Sequence, residues 1–297
     1  MPSIEDRIAG GLWGVLVADA IGLPHQFKPP TSIPTRIAMT MPADYPKAFK
    51  RIAYGTWSDD GALTLALADS LTNSKKLDLN HFAGNVRLWF EKGRFTVDGK
   101  AYDVGNTTAE AVARLIRGHA PDVSGLPEET ANGNGSLMRT LPLALWHQGS
   151  DAELYTDACA QSAVTHRHDY SKAACGVYCV AARHMLNGAT PAHAFVEGLK
   201  LAHVQLPIPK EPMGSGYVLD SLAFAIRAAR SGQNYQEVVL DAIRLGADTD
   251  TTAAIAGGLL GIMGGREGIP TEWFKELRGY DQASGIISAF LTARQAV

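Results

Sequence analysis

Two short stretches, far apart in the chain, each set a pair of carboxylates just ahead of an apolar run. Gly55-Thr56-Trp57-Ser58-Asp59-Asp60-Gly61 leads into Ala62–Leu71, and Gly246-Ala247-Asp248-Thr249-Asp250-Thr251-Thr252 leads into Ala253–Met263. Ser, Thr and Asp at a helix start satisfy free N–H groups and complement the positive end of the helix dipole. One such residue suffices for capping, so a pair at each site exceeds the need. If the two helix starts pack together, four negative charges share a partly buried site with little Lys or Arg nearby in the sequence, and they require a counter-charge. Two divalent cations would balance four carboxylates, and a ligand set made only of oxygens suits Mg²⁺ or Mn²⁺ better than Zn²⁺. Capping and metal binding both stand on these residues taken alone.

Other residues could do chemistry around such a centre. In Tyr102-Asp103-Val104-Gly105-Asn106-Thr107-Thr108, a helix cap accounts for Asn106 and Thr107 but leaves Asp103 unused, free for proton transfer. Asn132-Gly133-Asn134-Gly135-Ser136 reads as a turn capping a helix at Ser136, or as a glycine loop that lets a phosphate or ribose approach the backbone. Cys175 and Cys179 lie four apart with His166 and His168 upstream, a spacing that raises zinc, although small cysteines in an Ala-rich helix are more often simply buried.

The elements that must hold these groups are helical. Ile4, Ile8, Leu12 and Val15 recur at helical spacing behind Ser3, Glu5 and Asp6, and the small residues Ala9, Gly10, Gly11, Gly14, Ala18 and Gly22 mark this helix as central and closely packed. Asp19, alone among its apolar residues, reads as a buried carboxylate hydrogen-bonded to neighbouring loops. Leu63, Leu67 and Leu71 line a second helix, and further helices are predicted over 80–92, 107–118, 136–147, 151–164, 171–187, 191–202, 217–231, 235–246, 251–263 and 271–277. Strand signals are confined to Arg36–Thr40 and Arg94–Val97. The expected fold is all-α, a compact orthogonal multi-helix bundle, with residues 1–297 as a single domain and Leu23–Pro46 and Leu206–Gly216 as loops within it.

With 46% hydrophobic and 19% charged residues and a formal net charge of −3, the composition offers no broad attraction for nucleic acid or anionic membrane. The start has no basic segment followed by an apolar one, no run reads as a membrane span, and three cysteines suit a reducing compartment. A cytoplasmic monomer is therefore expected.

Taken in order, Gly14-Val15-Leu16-Val17-Ala18-Asp19-Ala20-Ile21-Gly22, Ser58-Asp59-Asp60, Asn132–Arg139, Thr165-His166, Gly216-Tyr217-Val218 and Asp248-Thr249-Asp250-Thr251 resemble the motifs of the ADP-ribosylglycohydrolase family across nearly the whole chain. The resemblance implies hydrolysis of the N- or O-glycosidic bond joining ADP-ribose to a protein side chain or small acceptor, with two Mg²⁺ or Mn²⁺ ions as cofactors. It places Ser58, Asp59, Asp60, Asp248, Asp250 and Thr251 as metal ligands and Asp103 as the catalytic acid/base. Gly105, Asn106, Asn134, Gly135, Ser136, His166, Gly216 and Tyr217 fall at substrate-binding positions, with Tyr217 placed to stack on adenine. Two departures stand out: Gln26-Phe27 where family members often have Glu-Phe, and Gly61 where Thr is common after the acidic pair. Gln cannot act as a base, so a mechanism led by that Glu is not open to this chain. The rival readings are an inactive ADP-ribose-binding or crystallin-like descendant, against which the intact acidic pairs speak, and a dinuclear metal phosphohydrolase.

Overall fold

A computed structural model describes residues 2–296. Among them the chain forms fourteen α-helices: α1 (Ile4–Gly22), α2 (Asp59–Ser74), α3 (Leu79–Lys92), α4 (Asn106–Ile116), α5 (Pro121–Ser124), α6 (Leu141–Trp146), α7 (Asp151–Ala163), α8 (Asp169–Leu186), α9 (Pro191–Lys200), α10 (Val218–Arg230), α11 (Tyr235–Arg244), α12 (Thr249–Gly264), α13 (Thr271–Glu276) and α14 (Tyr280–Gln295). The all-α class holds. Arg36–Thr40 and Arg94–Val97 form turns and loop instead of strand, and the β pairing among the described residues is two isolated bridges, Leu126 with His166 and Gly133 with Tyr217.

Helix α1 starts where Ser3 Oγ accepts the Asp6 N–H at 3.1 Å. It then runs through the middle of the molecule, with Leu12, Val15, Leu16 and Val17 fully buried, each contributing roughly 2 kcal/mol of apolar burial. The segment Ile4–His25 is long and apolar enough by composition to cross a membrane, contrary to expectation, but it lies inside the protein as a core helix. Its main partner is α12, and the two meet backbone to backbone. A Cβ at Gly10 would lie 2.3 Å from the Gly261 carbonyl oxygen, and one at Gly14 would lie 2.4 Å from that of Gly257. Tyr235 and Tyr178 fasten the pair by donating to the carbonyls of Gly14 and Ile255, each at 2.7 Å. The buried apolar cluster continues from α1 to Phe290 and Ala293 of α14.

The helical reading differs in two respects. The helix expected over 136–147 is reduced to Leu141–Trp146, because a 3₁₀ turn at Asn134–Ser136 and a turn after it come first, and Pro142, which lacks an N–H, fits only the start of a helix. Helices α5 and α14 have no counterpart among the predicted segments: α5 is a single turn, and the buried residues of α14, Ala283, Ile287, Phe290 and Ala293, are thinly spread among polar ones.

Candidate metal and catalytic centre

The C-terminal end of α1 fixes both acid-bearing helix starts. Asp19 accepts the Ser58 N–H on both oxygens (2.9 and 2.8 Å) and the Gly61 N–H on Oδ2 (2.8 Å), so this one carboxylate caps α2. On the other side Thr249 Oγ1 donates to the Gly22 carbonyl at 2.9 Å, and a Cβ at Gly22 would lie 2.6 Å from Asp250 Cα. Only a glycine lets α12 begin this close to α1. Three helices thereby bring oxygens of Asp19, Asp60 and Asp250 within 4.8 Å of one another, all buried. Asp59, 7% exposed, and the half-buried Asp248 border the same space and face a cleft.

The polar partners of this cluster are incomplete. Asp60 Oδ2 accepts from Ser58 Oγ (2.9 Å) and Thr251 Oγ1 (3.3 Å), and Asp250 Oδ1 accepts from the Thr251 N–H (3.0 Å). Asp60 Oδ1 and Asp250 Oδ2 are buried without any partner among the described residues. Burial and then neighbouring carboxylates hold Asp59, Asp60 and Asp250 well above the usual carboxylate range, and burial raises Asp19 to about 7. Among the described residues no Lys or Arg pairs with Asp19, Asp59, Asp60 or Asp250. Unpaired oxygens on crowded, buried carboxylates fit a hard divalent cation, so the residues present suit the expected metal. Cys175 and Cys179 instead lie beside the hydroxyls of Ser136 (3.5 Å) and Thr140 (3.2 Å), and the metal-capable group among the described residues does not include them.

Above the cluster opens a cleft of about 1020 Å³, at the upper end of the usual size for small-molecule sites. Asp103 lines it in left-handed backbone (φ 56°), and Phe27 (φ 63°) and Ala247 (φ 54°) do the same. Three of the five left-handed non-glycine residues described here thus surround one cleft, a concentration of strain of the kind held at functional sites. Burial pushes the Asp103 carboxyl up to about 6, opposed by the adjacent Gln26 and Asp250 side chains. Gly105 is the N-cap of α4 without a side-chain cap bond, and Asn106 opens the helix, so Asn106 does not cap it; both line the cleft.

On the opposite wall, Asn134 donates to Asp248 Oδ2 at 2.7 Å and to Ser221 Oγ at 3.0 Å, tying the glycine loop to the second acidic pair. Its N–H donates to the Gly216 carbonyl at 3.0 Å, which holds Gly216 at the rim. Gly135 leaves room for His166: a Cβ there would sit 2.9 Å from the ring. Arg139, fully buried, donates to Thr165 Oγ1 (2.8 Å), and Thr165 Oγ1 lies 2.8 Å from His166 Nδ1. Thr165 Oγ1 and His166 Nδ1 thus share one hydrogen bond, and the ring turns Nε2 toward the glycine loop. Burial, then the Arg139 charge, lowers His166 to about 3, so its ring is neutral. Ser136 does not reach the cleft; it is fully buried and bonded to Ser162 Oγ at 2.8 Å. Tyr217 sits at the N-cap of α10, 39% exposed, outside the cleft lining.

Asp19 joined this picture only through packing. Asp19 was legible as a hydrogen-bonded buried carboxylate, but its place in the cluster depends on α1 meeting α2 and α12. The other departure, Gly61, has a steric reason: a Cβ there would lie 2.7 Å from Trp57 Cγ and 2.8 Å from Leu16 Cδ2. Trp57, fully buried, fills the space a larger residue would take and donates to the Phe95 carbonyl at 3.0 Å.

Carboxylates gathered from three helices beneath a large cleft define an all-helical protein with a buried acidic centre. The sequence matches the ADP-ribosylglycohydrolase family over residues 1–297, and the chain belongs to that family, enzymes that hydrolyse glycosyl bonds. It is 28% identical to the ADP-ribosylarginine hydrolase Tri1 of Serratia proteamaculans, over 95% of this chain and 78% of the relative. It is also 28% identical to the ADP-ribosyl-[dinitrogen reductase] glycohydrolase of Rhodospirillum rubrum, over 93% and 92%. A solved ADP-ribosylglycohydrolase-related protein complex superposes with a TM-score of 0.78 at 26% identity, covering 98% of this chain and 99% of that one.

Proposed function

We propose that the protein removes ADP-ribose from arginine side chains of proteins, acting as a single-domain cytoplasmic monomer whose acidic cluster holds two Mg²⁺ or Mn²⁺ ions. The observation that carries this reading is the pair of buried oxygens, Asp60 Oδ1 and Asp250 Oδ2, without partners among the described residues, behind the cleft-lining Asp59, Asp248 and Thr251. The names of the relatives support the arginine linkage, and three free cysteines suit a reducing compartment.

Ser58, Asp59, Asp60, Asp248, Asp250 and Thr251 would hold the ions. When bound, such ions supply positive charge for ribose hydroxyls and acidify water. The remaining work falls to the chain. Asp103, poised near neutrality, takes a proton from the water that adds to ribose C1′. The C1′–N bond breaks with its electron pair on the guanidine nitrogen, and that nitrogen receives the proton from Asp103. One water is thereby divided, its hydroxyl on ADP-ribose and its hydrogen on the freed arginine. Gly135 offers its backbone N–H to the pyrophosphate, the His166 ring faces the same region, Gly105 and Asn106 border the ribose, and Gly216, held by the Asn134 N–H, guides the adenine end toward Tyr217 outside the cleft.

Mass spectrometry of the products from an ADP-ribosyl-arginine peptide tests this reading. Intact ADP-ribose with unmodified arginine is the expected result; AMP with a phosphoribosyl remnant on the peptide would establish the phosphohydrolase instead, and no turnover would leave only the binding descendant.

A further inference from the structure

The turn after α1 holds two residues that the chemistry above does not use. Gln26 is 5% exposed and lines the cleft beside Asp59 and Asp103. Its amide faces the Asp103 carboxyl, while Oε1 is buried and accepts no hydrogen bond from any described residue. A buried carbonyl oxygen left without a donor is costly, and in a cleft the missing donor belongs to the ligand.

Phe27 is the reverse case, 70% exposed on the same wall. Left-handed backbone is unfavourable for a bulky aromatic residue, and solvent exposure gains nothing from its ring. Yet the conformation is enforced. The Phe27 N–H donates to the Ala247 carbonyl at 2.6 Å and the Ala247 N–H donates to the Lys28 carbonyl at 2.8 Å, locking two left-handed residues together across the cleft wall. The ring is backed by Phe49, with centroids 6.2 Å apart, and Phe49 by Tyr102 at 5.8 Å. A strained, braced and exposed aromatic ring beside a buried acceptor oxygen has the form of a recognition surface.

Resting on the functional reading above, we infer that Gln26 and Phe27 form the subsite for the acceptor, built for a guanidinium group: Gln26 Oε1 accepts a guanidinium N–H and the Phe27 ring covers its planar face. The surroundings select this chemistry. Asp103, which holds no ion, lines the cleft beside Gln26 and sets a negative charge there that favours a cationic acceptor and repels a carboxylate one. A hydroxyl acceptor would leave the aromatic face without a partner, whereas a guanidinium meets both the ring and the amide oxygen. An amide at position 26 accepts the bond without adding another negative charge to the cluster.

The test compares wild type with Gln26→Leu, Phe27→Ala and Phe27→Trp on an ADP-ribosyl-arginine peptide, with free ADP-ribose as a competitive inhibitor. Expected is a fall of about tenfold in kcat/KM for Gln26→Leu and for Phe27→Ala, carried mainly by KM, the size of one desolvated cation–π or hydrogen-bond contact. Phe27→Trp should retain activity, and the Ki of ADP-ribose should stay within twofold in all three variants, because ADP-ribose lacks the acceptor. Unchanged kcat/KM in both truncations, or a parallel loss of ADP-ribose affinity, would overturn the subsite while leaving the functional reading intact. Absence of ADP-ribose release by wild type would overturn that reading and the subsite with it.

Discussion

In protein stripped of divalent ions, Asp60→Asn should make the fold more stable. Oxygens of Asp19, Asp60 and Asp250 lie within 4.8 Å of one another, where two full charges repel by about 3.5 kcal/mol at an effective dielectric of ~20. Proton uptake limits the penalty. Burial and then the charges of Asp19 and Asp248 hold Asp60 well above its ordinary value, so its ionisation destabilises the native state at neutral pH; Asp19, raised from 3.8 to about 7 chiefly by burial, shows the scale of such a penalty, about 4 kcal/mol at ~1.4 kcal/mol per unit. The sign follows from the native state holding the proton more tightly than the unfolded chain: the penalty is absent below the unfolded value, and grows as pH rises toward the native one. The variant's amide oxygen can still accept from Ser58 and Thr251, and its NH₂ can donate to Asp19 or Asp250. A relief of about 3 kcal/mol raises Tm by roughly 6 °C for a chain of this size. The assay is thermal melting in chelator at pH 5 and pH 7.5, repeated with Mg²⁺ or Mn²⁺. Expected are a variant that melts above wild type by about 6 °C at pH 7.5 and by less at pH 5, and a wild type that gains ~5 °C once ion exceeds its Kd a hundredfold, from about 2.7 kcal/mol of linkage. A variant that melts lower than wild type at both pH values, with a wild type indifferent to ions, would refute the electrostatic reasoning.

Asp103→Asn should lower kcat by about 10²–10⁴-fold with Tm preserved. In wild type, kcat/KM should rise with pH through about 6 as the carboxyl ionises to act as base, and the variant should lack that limb. Gly22→Ala forces a methyl to within 2.6 Å of Asp250 Cα, so a loss of about 1–3 kcal/mol and a weaker ion-induced rise in Tm are expected by calorimetry. Gly61→Thr meets Trp57 and Leu16; urea unfolding should show a similar loss, and Trp57→Leu in the same chain should reduce the added cost of the threonine in a double-mutant cycle.

Much of the fold was legible because small and apolar residues recur at helical spacing, and α1 and α12 carry that pattern plainly. The acidic pairs were legible because charge in excess of capping is a local property of Ser58–Asp60 and Asp248–Thr251. What sequence could not give was set by packing between distant segments. Ser136 turns into the core because the 3₁₀ turn carries it toward Ser162, and α14 is held by a few buried side chains within a polar stretch. The lock between Phe27 and Ala247 joins residues some two hundred positions apart, and Gln26 Oε1 loses its partners only through packing of the cleft wall, so neither had a local signature. Gly61, a departure on sequence, becomes intelligible once Trp57 is seen to occupy its space.

The central claim is that the carboxylates of α2 and α12 hold the divalent ions on which ADP-ribose release depends. The most direct measurement follows that release from an ADP-ribosyl-arginine peptide while Mn²⁺ is titrated into chelator-treated wild type, Asp60→Asn and Asp250→Asn. Saturable, ion-dependent release by wild type and its loss in both variants is the expected result. Full release in chelator, or undiminished release by both variants, would contradict it.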